Sequence, residues 1–381
     1  LDVSRSEYEG RISKLKNWMA ERRVEAAVIS PGSNMRYLSG TENAGMMVIP
    51  LDGEPFLVAQ YAFGDGLAEQ ESFLEVRVIK PKYGLSAKEV VKADLAKAAA
   101  EWLRESGVRV RRLAVEKSKG GKFIKDLRKA FRKGRRRVLF VDLGDILRDM
   151  RAIKSEEEVK LIEESAKIAI AAFEEVVDEL REGVSEAEVA NKLEYAMREK
   201  GAEEPSFKSI VAFGEHTYNA HHVPTRKRLE KGALVLFDFG ARYKGYCSDM
   251  TRTFVFGREP SGDLRERLNA VLAAQQTALQ AVRGGAKIES PDIEARKVLV
   301  EKGLAEEFVH SLGHGVGLDI HEYPRLIVGA KGELREGMTV TVEPGIYIKG
   351  WGGVRFEDTV VVSGSSPRIL TQALAKDLRL G

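Results

Sequence analysis

The sequence predicts an α/β domain over residues 1–150 followed by an α+β domain over residues 151–381. Three observations carry that expectation. At 381 residues the chain exceeds what one ordinary hydrophobic core fills, so two domains are expected. Residues 1–145 alternate helical and strand patterns, as a layered α/β domain does. Beyond residue 150, pairs of long amphipathic helices alternate with hairpins, which reads as an α+β body with two similar halves.

In the first domain a helix over 6–22 leads to a strand at 26–30 (AAVIS). Apolar runs at 45–50 and 55–60 and the segment EVRVIK at 75–80 add further strands. Ser86-Ala-Lys-Glu89 is a capping box, expected to open a helix that stops at Gly107. RLAVE at 112–116, a basic helix and VLFVD at 138–142 complete the domain. In the second domain Ser155-Glu-Glu-Glu158 caps a helix whose buried stripe runs Val159, Ile162, Ala166, Ala169, Phe173, Val176 and Leu180. Ser185-Glu-Ala-Glu188 opens another, ending at Gly201. A helix over 261–283 stops at Gly284 and Gly285, and Ser290-Pro291 caps the next. Strand patterns at 233–239, 246–256, 338–343 and 354–362 interleave with these helices.

Composition narrows the class of function. Lys plus Arg number 61 against 58 Asp plus Glu, a net charge of +3, so the chain as a whole points to no nucleic acid. The basic run from Lys117 to Arg137 reads as a solvated helix with Phe123, Leu127 and Phe131 on its buried stripe. No apolar run approaches the roughly 20 residues that span a bilayer, and the N-terminus has no signal-peptide pattern, so no membrane partner is expected. Cys247 is the only cysteine, which excludes an internal disulfide and a thiolate zinc cluster and suits a reducing cytoplasm.

The chemistry gathers in the second domain. FDFGARYKGYCSDMTRT places Asp238 and Asp249 in what reads as a hairpin turning at Tyr243–Gly245. With a symmetric turn the two carboxylates are direct cross-strand partners, their Cβ atoms about 4.5–5.5 Å apart. Two ionised carboxylates at that separation repel, so they share a proton or a cation neutralises them. Glu343 and Glu357 repeat the arrangement, seven residues either side of Gly350. Four acids in two mirrored pairs favour a metal, because a buried unpaired cluster is costly.

Histidine strengthens the reading. His216, His221 and His222 lie together, and His310, His314 and His321 fall within HSLGHGVGLDIHEYPR. Gly313, Gly315 and Gly317 argue against a helix there and suit a loop or bulged strand that approaches an ion closely. Four carboxylates and one imidazole make an oxygen-rich site with room for two ions, suited to Mn, Co, Fe or Zn. Cys247 reads as a small buried hydrophobe beside the site.

Asp238, Asp249, His314, Glu343 and Glu357, in these motifs, resemble the five metal ligands of the pita-bread metallopeptidases. SNMRYLSG at 33–40 and RDMRAIKSEEEV at 148–159 resemble the N-terminal domain and linker of the prolidase/aminopeptidase P/creatinase branch. The resemblance implies an N-terminal creatinase-like α/β domain before a pita-bread catalytic domain, and a centre of two divalent ions per chain, Mn or Co before Zn or Fe. It implies that His221 and His321 contact the scissile carbonyl and the intermediate, and that Glu343 shuttles a proton as well as binding metal. It further implies that Arg325 holds a dipeptide's terminal carboxylate, and that His310, Tyr347 and Arg355 orient the ligands. The expected activity is hydrolysis of Xaa-Pro dipeptides by a metal-activated hydroxide, the alternatives being aminopeptidase P and a repurposed non-peptidase. A homodimer, with one N-terminal domain helping to close the partner's site, is implied by the resemblance alone.

Overall fold

The computed structural model describes residues 2–83, 92–132, 138–260 and 262–374. The chain divides into two compact units, Leu1–Arg151 and Ala152–Gly381.

The first unit is built on one six-stranded mixed sheet. Its strands are β1 (Ala26–Ile29), β2 (Met46–Pro50), β3 (Phe56–Gln60), β4 (Glu75–Ile79), β5 (Arg112–Val115) and β6 (Leu139–Asp142), in the order β4-β3-β2-β1-β5-β6. β1 pairs antiparallel with β2 but parallel with β5, and β5 continues parallel to β6. Helices α1 (Arg5–Glu21), α2 (Ser33–Ser39), α3 (Asp65–Glu71), α4 (Leu95–Glu105), α5 (Gly121–Ala130) and α6 (Gly144–Ala152) accompany it. α4 begins later than the sequence suggests: Asp94 caps it, its carboxylate accepting the Lys97 amide at 3.0 Å. The Ser86–Glu89 box lies outside the described residues, as does the end of the basic run. Within that run α5 buries Ile124 and Leu127, with Phe131 just beyond its end and Phe123 half-covered.

The second unit has two halves of similar plan. In one, α7 (Glu156–Asp178) and α8 (Glu186–Glu199) pack on β8 (Ile210–Phe213), β9 (Leu234–Phe239) and β12 (Met250–Val255). Both predicted capping boxes are reciprocal: Ser155 with Glu158, and Ser185 with Glu188. The short strands β7 (Glu204–Pro205), β10 (Ala241–Tyr243) and β11 (Tyr246–Cys247) form a small sheet at the hairpin tip. In the other half α9 (Gly262–Ala281) and α10 (Ser290–Glu301) back a five-stranded sheet. Its strands are β13 (Gly313–Gly315), β14 (Glu322–Leu326), β15 (Thr339–Val342), β18 (Asp358–Val361) and β19 (Arg368–Ile369). β16 (Gly345–Ile348) and β17 (Gly352–Arg355) form a separate ribbon. Among the described residues no helix is long and apolar enough to cross a membrane.

Candidate metal centre

Register decides which acids meet. In the β9–β12 ladder Asp238 stands opposite Thr251, not opposite Asp249. The tip is a two-residue turn, Lys244-Gly245, closed by the Tyr243–Tyr246 pair, and both turn residues have positive φ. That turn centres the hairpin one residue later than an equal count about Tyr243–Lys244 allows. Asp249 therefore ends in the break before β12, on the diagonal from Asp238 and on the same face. The second pair keeps the expected symmetry. Val342 pairs with Asp358 and Gly345 with Arg355, so Glu343 and Glu357 face each other between the β15–β18 and β16–β17 ladders. Freed from cross-strand pairing, their amides reach elsewhere: Glu343 donates to Leu312 O at 2.8 Å and Glu357 to Thr251 O at 3.1 Å.

His314 enters from β13, whose flanking glycines are needed for space. A Cβ on Gly313 would lie 2.0 Å from Thr341 O, and one on Gly315 2.5 Å from Tyr323 O. The imidazole Nδ1 is 3.1 Å from Gly315 O, an atom that only accepts, so Nδ1 carries the hydrogen and Nε2 faces the acids. Nε2 is 3.3 Å from Glu343 Oε1 and 3.6 Å from Asp249 Oδ2. One ligand atom each from Asp249, His314 and Glu357 lie within 4.8 Å of one another.

The cluster is short of positive charge. Its buried cation is Arg355, whose Nη2 donates to Asp238 Oδ2 at 2.6 Å, Nη1 to the Tyr347 hydroxyl at 2.6 Å and Nε to Thr251 Oγ1 at 3.1 Å. Tyr347 passes the chain on to His310 Nε2 at 3.0 Å. Burial, then the charges of Glu357, Asp238 and Glu343, push the Asp249 carboxyl well above its ordinary range. Glu357 is pushed the same way by burial and by Glu343 and Asp238. Glu343 behaves oppositely. Burial alone would raise it, but the hydrogen bond and charge of His314 hold it below the usual value. Asp238 Oδ1 is buried without a hydrogen-bond partner. An orphaned carboxylate oxygen, two acids that resist ionising and an inward imidazole are what a divalent cation satisfies. The donors present therefore fit metal.

Every residue singled out above for a catalytic, ligating, substrate-binding or orienting part lines one cavity of about 920 Å³. His221 and His321 are exposed at its wall, and the His321 ring lies 4.2 Å from that of His314. Burial and the nearby His314 charge lower the His321 pKa. Arg325 Nε donates to Ser311 Oγ at 3.2 Å. Cys247 is buried outside the lining residues, and burial pushes its thiol up to about 12.

Sequence reasoning missed several partners. Thr251 Oγ1 donates to Glu357 Oε2 at 2.7 Å, and Thr341 Oγ1 to Glu343 Oε1 at 3.2 Å. Both threonines stand two residues from a candidate ligand in a strand, so the period of two could have found them. Lys154 pairs with Glu322 at 3.1 Å, both side chains buried beside His321. No local pattern signals a bond across 168 positions.

Residues 160–364 match the metallopeptidase family M24, and residues 11–153 match the creatinase/prolidase N-terminal domain. The chain belongs to metallopeptidase family M24, with the pita-bread fold behind a creatinase-like domain, and the family and donor set together imply divalent metal ions. It is 36% identical over 362 residues to a Pyrococcus horikoshii protein named Xaa-Pro dipeptidase, covering 95% of this chain and 97% of that one. Among solved structures it resembles the Xaa-Pro dipeptidase from Bacillus anthracis, with a TM-score of 0.86 at 34% identity, over 98% of this chain and all of the other. An X-Pro aminopeptidase from Thermotoga maritima gives 0.83 at 32% identity, over 95% of this chain and 99% of the other.

Proposed function

We propose that the chain is a metal-dependent Xaa-Pro dipeptidase. The observation that carries this is the buried excess of carboxylates around His314, with its orphaned Asp238 oxygen, opening into a cavity that also holds His221, His321 and Arg325. Asp238, Asp249, His314, Glu343 and Glu357 would hold two divalent ions, Mn or Co before Zn or Fe, since carboxylate oxygens with one imidazole suit those metals. Such ions, when bound, acidify water and polarise a carbonyl.

The chain's own groups account for the remaining steps. An Xaa-Pro bond is a tertiary amide without an N–H, so a site built on carbonyl recognition suits it. Glu343, held ionised by His314, takes a proton from the attacking water and delivers it to the leaving proline nitrogen. His321, whose pKa is lowered by partial burial and the nearby His314, and His221 donate to the oxygen of the tetrahedral state, each contact worth about 2.7–4 kcal/mol in comparable sites. Ser311 tethers Arg325 at Nε, which leaves its two Nη groups to fork onto a terminal carboxylate. His310, Tyr347 and Arg355 form the chain that orients Asp238.

Likeness to the Thermotoga maritima X-Pro aminopeptidase favours the second reading, release of the first residue from longer X-Pro peptides. The intact donor set speaks against a repurposed non-peptidase. A cytoplasmic homodimer belongs to the same proposal: the lone buried Cys247 suits a reducing compartment, and dimerisation rests on family resemblance.

The test is hydrolysis of Gly-Pro and Met-Pro beside Met-Pro-Gly by chelator-stripped protein reloaded with Mn, Co or Zn. Cleavage confined to dipeptides and lost with Arg325→Ala is expected. Preference for the tripeptide moves the assignment to aminopeptidase P, and no cleavage with any metal overturns both peptidase readings.

A further inference from the structure

Outside the candidate centre, a second cluster joins Glu186, His216 and His222, with one ligand atom of each within 4.8 Å of the others. Glu186 is fully buried at the first turn of α8. Its Oε1 accepts the Phe213 amide at 2.8 Å and His216 Nδ1 at 2.9 Å. Its Oε2 accepts His222 Nε2 at 2.9 Å, the Thr225 amide at 3.0 Å and Thr225 Oγ1 at 2.7 Å. An ionised carboxylate is acceptor-only, so both imidazoles donate. Five donors already saturate the roughly four lone-pair sites such a group offers, which leaves none for a metal ion.

The donors span one continuous segment. Phe213 ends β8, His216 lies in the 3₁₀ turn Gly214–Tyr218, and His222 and Thr225 follow it. His221 and His222 both line the cavity, His221 exposed there and His222 buried with its Nε2 on Glu186. Anchoring the His222 side chain on Glu186 fixes the backbone that carries the adjacent His221.

We propose that Glu186 is a positioning residue whose carboxylate gathers residues 213–225 and thereby sets the His221 imidazole in the substrate cavity. This rests on the reading that His221 touches substrate.

The test is a double-mutant cycle on the Mn-loaded protein with Glu186→Gln, His221→Ala and their combination, read as kcat and KM on Met-Pro. Histidine-labelled NMR spectra of the same proteins, loaded with diamagnetic Zn in place of Mn, accompany it. Glu186→Gln keeps the shape but turns an acceptor into a donor facing donors. We expect it to lower kcat/KM about tenfold or more, within the roughly hundredfold that a 1 Å misplacement costs. It should act through the same kinetic parameter as His221→Ala, and the double variant should be no worse than His221→Ala alone. The His221 signal should move while those of His310 and His314 stay. Multiplicative effects in the cycle, or an unmoved His221 signal, overturn the proposal. So does a bound-metal count that falls by one ion when Glu186 is replaced. If the wild type cleaves no Xaa-Pro substrate, the proposed function fails, yet the His221 signal still decides the role of Glu186. Should Glu186→Gln fail to fold, Thr225→Val removes one donor and should move the same parameter less.

Discussion

Arg252 and Arg355 are both buried in the second unit, and the same two dipeptides build the surroundings of each. Thr251 and Glu357 face Arg355, whereas the residues that follow them, Arg252 and Asp358, meet on the opposite face of the strands. Around Arg252 the charges of the described residues balance. Its Nη2 donates to Asp358 Oδ1 at 2.8 Å, and further bonds go to the carbonyls of Thr251, Glu357 and Leu374. Thr371 and Gln275 complete the Asp358 carboxylate. Around Arg355 four carboxylates converge, one with an unpartnered buried oxygen. Both arginines are buried, but Asp238, His314 and Glu343 on the Arg355 face are partly exposed to the cavity. A balanced, fully bonded pair holds strands together, while an unbalanced cluster is tolerated where a ligand completes it.

The contrast predicts opposite signs for charge removal, the largest change falling on the balanced face. Arg252→Met strands the Asp358 charge in the interior and should cost about 3–5 kcal/mol, as breaking buried pairs does. A urea midpoint that falls with an unchanged slope checks it; a cost below about 1 kcal/mol would put the two clusters in one class. On the other face Asp249→Asn relieves a carboxyl that burial and three neighbouring acids push well above its ordinary range. Metal-free Asp249→Asn should be more stable than metal-free wild type, by on the order of 1 kcal/mol. It should also bind metal poorly and lose peptidase activity. Thermal unfolding with and without Mn reads both effects, and a destabilised stripped variant would show that Asp249 is structural.

How much of this was legible in the sequence follows from the range of the signals. The Glu343–Glu357 register could be counted, because a symmetric loop about Gly350 carries it through two ladders. The Asp238–Asp249 register slipped by one, because Lys244 adopts positive φ beside Gly245 and no composition rule singles that lysine out. Counting also found the histidines without sorting them. His216 and His222 resemble His221 in every local respect, and only their bonds to the distant Glu186 carboxylate mark them as anchors. Glu186 itself reads as an ordinary first-turn acid inside the Ser185–Glu188 box. Helix starts with reciprocal caps at Ser155 and Ser185 were legible, whereas α4, from Leu95, rests on the single Asp94 cap.

The smallest expected effect is the pH dependence of the stripped protein, and its sign belongs to the unbalanced cluster alone. Asp249 and Glu357 are raised first by burial and then by their acidic neighbours, and unfolded carboxyls titrate near 3.9 to 4.3. A carboxyl raised in the native state keeps its proton where the unfolded chain has lost it, so stability falls as pH climbs toward the native pKa. His314 adds to the trend. Burial opposes its protonation, but Glu343 overrides that and raises it, so its contribution also fades with rising pH. The depressed Glu343 acts the other way only below its ordinary range, outside the window. His310 and His321, lowered first by burial, act the other way in this window. Three raised carboxyls (Asp238, Asp249 and Glu357) and His314 outnumber them, so metal-free protein should lose melting temperature from pH 5 to 8. Saturating Mn, which replaces those protons, should flatten or reverse the slope. The Asp249→Asn variant should show a shallower slope without metal, and Arg252→Met should keep the wild-type slope at a lower temperature. A stripped protein whose melting temperature rises across that window would mean that the acids ionise freely, and that the two buried clusters differ less than their hydrogen bonds imply.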